Sequence, residues 1–95
     1  MGRKFDGDER FIHAQIAAAR AGKPDAFYEL GVAYSVGRSG VGVDLIEAHK
    51  WFNLAAMSGD DRAQVDRSEV AEFMTGAEIA AAQREARAFL MARAA

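Results

Sequence analysis

"AFYELGVAYSVGRSGVGVDLIEAHKWFNLAAMSGD", residues 26–60, decides how this chain is read. Ala26, Leu30 and Tyr34 fall at i, i+4 and i+8, so they share one face of a helix predicted from about Asp25 to Val36. Gly31 lies beside that face. Glycine costs a helix interior about 1 kcal/mol relative to alanine, and its presence points to another backbone approaching closely. "GRSGVGV" (37–43) reads as a loop whose glycines supply positive φ angles. Asp44 is a good N-cap for a further helix reaching Ser58. Leu45, Ala48, Trp51, Phe52 and Ala55 share a face of that helix, and Gly59 closes it.

The same periodicity extends outward. A first helix is expected from about Glu9 to Ala21, ended by Gly22, with "GKPD" (22–25) as stop and restart. A more polar fourth helix should run from about Asp60 to Met74, with Val70, Phe73 and Met74 as its apolar anchors. Thr75 and Glu78 form a capping box for a fifth, whose inward stripe would be Ile79, Ala82, Ala86, Phe89 and Leu90. Arg93 suits the carboxyl-terminal end of that helix dipole. No segment alternates with period two for long, so the fold class is all-α. Residues 1–8 are expected to be a flexible amino-terminal segment, and 9–95 a single domain.

Composition narrows the function. Ninety-five residues suffice for one domain of ordinary size. The absence of cysteine removes disulfides, thiolate chemistry and cysteine-based zinc sites. A net charge of −2 argues against a nucleic-acid coat, which needs a basic face to displace counterions. Charge is nevertheless uneven. Residues 60–78 set Arg62 and Arg67 against six acids, a net −4, whereas Arg84, Arg87 and Arg93 outweigh Glu85 over 79–95, a net +2. The acidic run reads first as a solvated helix face and second as a patch that selects a basic partner. No stretch approaches the roughly 20 apolar residues that span a bilayer. Gln83 and Glu85 interrupt the basic face of the last helix, so no membrane role is expected. The opening "MGRKFDGDER" lacks the apolar core of a secretory signal, and a cytoplasmic protein is the expectation.

A self-match lies in the spacing. Gly22 and Gly59 stand 37 positions apart, as do Ala26 and Ala63, and Ala18-Ala19 and Ala55-Ala56. The first helix therefore reads as an imperfect copy of the third, and the fourth as a degraded copy of the second.

On these residues the chain resembles a Sel1-like repeat, a relative of the tetratricopeptide repeat. The family pattern is Ala-x3-Leu-Gly-x2-Tyr, a glycine loop with Val and Asp, then Ala-x2-Trp and Ala-Ala-x2-Gly. It is met by Ala26, Leu30, Gly31, Tyr34, Gly37, Gly40, Val41, Asp44, Ala48, Trp51, Ala55, Ala56 and Gly59. One full repeat covers 26–63. Two residues, Arg38 and Ser39, separate the loop glycines where the family has one, and this longer loop should stay exposed. Arg67 and Ser68 take the places of Leu30 and Gly31 in the fourth helix, so close repeat packing should stop there. The resemblance implies a short right-handed array of about five helices: one full repeat, partial repeats and a carboxyl-terminal capping helix. It also implies a bacterial cytoplasmic adaptor that binds protein and needs no cofactor. The signature residues read as scaffold, because the small ones bring helix axes together while Tyr34 and Trp51 supply bulk.

The residues offer little chemistry. His13 and His49 are the only histidines, neither sits in a zinc-motif spacing, and His49 reads as an exposed residue at the edge of the apolar face. "GRSGVG" lacks both the dinucleotide fingerprint and the Gly-Lys-Ser/Thr of a phosphate loop. No serine has an adjacent histidine. The expectation is a protein that is not an enzyme, with no catalytic, cofactor or metal residues. The face of the second helix turned away from Ala26, Leu30 and Tyr34 carries Tyr28, Val32 and Ser35, the candidates for contact with a peptide or partner helix. A competing expectation packs Tyr28 and Val32 beneath a neighbouring helix. A second reading of function is a structural homo-oligomer, a homodimer in the simplest case, in which repeats from two chains complete the array.

Overall fold

Each of the expected helices is present in the computed structural model, which describes residues 7–94. They are α1 (Gly7–Arg20), α2 (Pro24–Val36), α3 (Leu45–Met57), α4 (Asp61–Ala71) and α5 (Gly76–Ala94), with no strand among the described residues. Most of the segment expected to be flexible, residues 1–6, lies outside the described part, and α1 begins two residues before the expected Glu9. A radius of gyration of 13.3 Å matches the value of about 13 Å for a compact domain of 100 residues.

The caps explain why the helices start and stop where they do. The Asp44 carboxylate accepts from the Glu47 amide at 3.1 Å, and that of Asp60 from the Arg62 amide at 3.0 Å. Both satisfy orphan donors of a first turn. The capping box closes in both directions: the Thr75 amide donates to Glu78 at 2.8 Å and the Glu78 amide to the Thr75 hydroxyl at 3.1 Å. At the carboxyl ends of α1 and α3 the same paired bonds recur. Lys23 N–H reaches Ala18 and Gly22 N–H reaches Ala19; 37 positions on, Asp60 N–H reaches Ala55 and Gly59 N–H reaches Ala56. With Gly22 and Gly59 at φ of 84° and 98°, both ends are Schellman motifs.

α3 is the central element, packing against α2, α4 and α5, while α1 packs on α2. Ala26, Phe27, Leu30 and Ala33 of α2 meet Ala48, Trp51, Phe52, Leu54 and Ala55 of α3 in one core. A Cβ on Gly31 would run into the Phe52 ring. Close approach at Gly31 is therefore made by an aromatic ring and not by a second backbone as the spacing suggested. The small residue is a socket for the large one. Tyr34, expected to fill the core, is only half-buried, and its carbonyl receives the Asp44 amide at 2.9 Å to tie the loop to α2. In that loop Gly37 and Gly40 take the positive φ angles expected of them. Arg38 is exposed and reaches back to Glu29 at 3.2 Å, but Ser39 is half-buried and itself adopts φ of 62°.

One further expectation needs correction. α4 ends at Ala71, because the Glu72, Phe73 and Met74 amides turn back to carbonyls three residues earlier and tighten the chain into the Thr75 cap. Phe73 consequently projects into solvent, 80% exposed, instead of anchoring the helix. Arg93 lies in the last turn of α5 as expected, and it also donates to the Arg20 carbonyl at 3.0 Å, so it caps α1 from α5.

α5 is held through aromatic contacts. Phe89 meets Trp51 edge-on at a centroid distance of 5.2 Å and Phe27 at 5.9 Å, and Phe27 stacks on Trp51 at 6.2 Å. The Trp51 indole donates to Glu47 at 3.0 Å, and Lys50 lies 4.5 Å above its ring. Of the expected inward stripe, Ala82 and Ala86 are buried and Ile79, Phe89 and Leu90 half-buried.

Candidate functional site

A groove runs between α2 and α4, with α3 as its floor. Tyr28, Val32, Ser35 and Val36 follow one another down α2 on one side. Asp66, Glu69, Val70 and Phe73 do so at i, i+3, i+4 and i+7 on the other, and Leu45 and Phe52 lie beneath, enclosing about 410 Å³. On α2, and from Asp66 to Val70 on α4, the spacing is that of a single helix face; Phe73 follows in the turn just past α4. The three α2 residues singled out from sequence thus all line one concavity. The competing expectation holds in part: Tyr28 and Val32 are half-buried, and Tyr28 is tied to α4.

That tie sets one end of the groove. The Tyr28 hydroxyl donates to the Asp66 carboxylate at 2.7 Å, and its ring rests against Phe52 at 5.6 Å. The bond to Asp66, and then burial, push the phenol above its ordinary pKa of 10.0, so it stays a donor at neutral pH. Arg62 lies over the same ring, 4.0 Å from its centroid, and makes two bonds to Asp60 of 2.8 and 3.1 Å. Those bonds hold the Asp60 carboxyl below its usual range. The Ser35 hydroxyl is spent on the Val32 carbonyl at 2.9 Å.

The other end is open. Val36 is 60% exposed and Phe73 80%, so an apolar mouth faces water. The lining holds two carboxylates, Asp66 and Glu69, and no cationic side chain. Asp66 is engaged by Tyr28, whereas Glu69 makes no ion pair among the described residues. An apolar floor with an acidic wall can accept a bulky apolar side chain whose neighbour is Lys or Arg.

Asp66 and Glu69 belong to the run read first as a solvated face and second as a patch for a basic partner, and Phe73 to the expected core anchors; neither reading joins the three. The acidic run and the apolar anchor turn out to form one wall.

His49 corrects another expectation. It is 4% exposed, not at a solvated edge, and its Nδ1 has no hydrogen-bond partner. α4 covers it. Arg67, whose guanidinium donates to Asn53 at 2.6 Å, is close enough to act on it electrostatically. Burial, then the Arg67 charge, push the His49 pKa below 6.5. The unfolded chain therefore takes up a proton before the folded one does. Stability is full above the ordinary histidine pKa and falls as pH drops through the window between 6.5 and the lower folded value. In urea titrations from pH 7.5 to 5, His49→Leu should flatten this dependence; equal slopes for variant and parent would remove His49 as the cause.

Among the described residues there is no group of three or more His, Cys, Asp or Glu able to hold a metal ion, and no helix is long and apolar enough to cross a membrane. No family model matches the chain, and no curated protein or solved structure was found to match it.

Proposed function

We propose that this chain is a protein-interaction module of the Sel1-like helical-repeat type, and that its α2/α4 groove receives an apolar side chain from a peptide or helix of a partner. The observation that carries this reading is the open groove of about 410 Å³, in which Tyr28, Val32 and Ser35 meet a second, acidic wall. A concave surface between successive hairpins is where helical-repeat arrays present such sites. The duplicated Schellman ends of α1 and α3 support the repeat assignment. So does the Gly31–Phe52 socket, which uses the signature glycine.

The test is selection of displayed random peptides on the full chain. Enriched sequences should place Phe, Leu, Ile or Met beside Lys or Arg. Their binding should weaken about tenfold or more with Phe73→Ser, the loss expected when an interface hot spot is truncated. Phe73 is largely exposed, so this variant keeps its fold. Val32→Arg should abolish binding by pushing a long charged side chain from the α2 wall into the groove. No enrichment, or binders indifferent to both substitutions, would refute the reading.

A further inference from the structure

The outer face of α5 has no role in the core. Arg84, Arg87, Ala88 and Met91 are exposed at i, i+3, i+4 and i+7, so they form one stripe. Met91 is 72% exposed, and neither arginine makes an ion pair among the described residues. Glu85, the only acid on this helix after its first turn, lies off the stripe and faces Lys50 at 3.9 Å. The stripe is therefore basic with an apolar end, and Ala88 beside Met91 leaves room for another surface to come close.

The groove has the opposite character. Its mouth is apolar, at Val36 and Phe73, and its wall is acidic, at Asp66 and Glu69. Each surface is what the other lacks. Arg87 precedes Met91 by four residues, about 6 Å along a helix, and on the facing wall Glu69 of α4 precedes Phe73, which lies just past the end of that helix. With Met91 at the Val36–Phe73 mouth, the basic stripe would run along the acidic wall.

We infer that the groove's partner is a second copy of this chain, which inserts the Arg84–Met91 face of its α5. The inference rests on the groove being a binding site, as proposed above, and names the occupant. The two surfaces are different patches of one molecule: used reciprocally they make a two-fold, isologous dimer, and used one way they continue head to tail as a heterologous contact. The opposite net charges of residues 60–78 and 79–95 then have a common purpose, steering one copy's α5 toward the next copy's α4.

Light scattering coupled to size exclusion, run on the full chain over a wide concentration range, is the test. The mass at low salt should climb from the 10.3 kDa of one copy to about twice that or more, and should fall back as salt screens the arginine–glutamate contact. Met91→Glu and Glu69→Arg, both at exposed sites, should each return the protein to one copy with unchanged helical circular dichroism. Combining Glu69→Arg with Arg87→Glu should restore association. A single-copy mass at every concentration would overturn the inference, as would association that survives Met91→Glu and Glu69→Arg. If the mass stays at one copy while selected peptides still bind in a Phe73-dependent way, self-association fails and the groove reading stands. If peptide binding fails too, both fall.

Discussion

Phe52→Ala is expected to remove about 3–5 kcal/mol of folding stability, the range for emptying a buried aromatic site. Phe52 is 1% exposed and occupies the socket left by Gly31. It also backs Tyr28 and floors the groove. Neighbouring side chains cannot close the cavity, because Gly31 has none and Ala48 and Ala55 are too short to reach across it. A small domain holds roughly 5–15 kcal/mol in total, so this one change should bring the chain near the unfolding threshold. Urea denaturation followed by far-ultraviolet circular dichroism measures it. In thermal melts each kcal/mol should appear as roughly 4–8 °C for a domain of this size. A loss below about 1 kcal/mol would mean that α2 and α3 slide together to refill the space, contrary to the close packing of protein interiors.

Phe89→Ala is expected to act more locally. Phe89 is half-buried, so its truncation should cost less than the full aromatic range, about 2–3 kcal/mol. Its contacts with Trp51 and Phe27 are the aromatic hold on α5. Weakening them should loosen the carboxyl-terminal helix before the α2–α3 hairpin, which keeps the packing of Gly31 against Phe52. Trp51 is the only tryptophan and is 5% exposed, so its emission should shift to longer wavelength as water enters. Proteolysis should cut within α5 first. An unchanged emission spectrum together with a single cooperative loss of all helices would show instead that α5 is an integral part of the fold.

The order of helices was legible because it depends on local rules. Asp44, Thr75 with Glu78, and the closing glycines are groups whose partners lie within a few residues, so spacing alone locates them. Apolar period identified the α3 face and the α5 stripe for the same reason. The candidates Tyr28, Val32 and Ser35 were found by taking the side of α2 opposite a recognised inner face. Helical geometry makes opposite faces predictable, and the three line one groove.

Where partners are far apart in the chain, the local reading failed. His49 looked exposed because it lies one position past an apolar stripe, but α4 packs over that edge and buries it. Phe73 looked like an anchor from its apolar character, but α4 stops two residues earlier and turns it outward. Arg93 stands in the last turn of its own helix as expected, but its bond across 73 residues to α1 had no local signal. Gly31 signalled a close approach without naming the ring that makes it.

Sequence by itself determined the all-helical class, the five helices, their caps and the 37-residue echo between α1 and α3. All of these arise from interactions within a turn or two of helix. Only tertiary structure decided that α2 and α4 stand on either side of α3, joining a tyrosine, two carboxylates and an exposed phenylalanine into one groove. The angle and distance between helices follow from which side chains interlock across them, as Gly31 and Phe52 do, and no local periodicity carries that information.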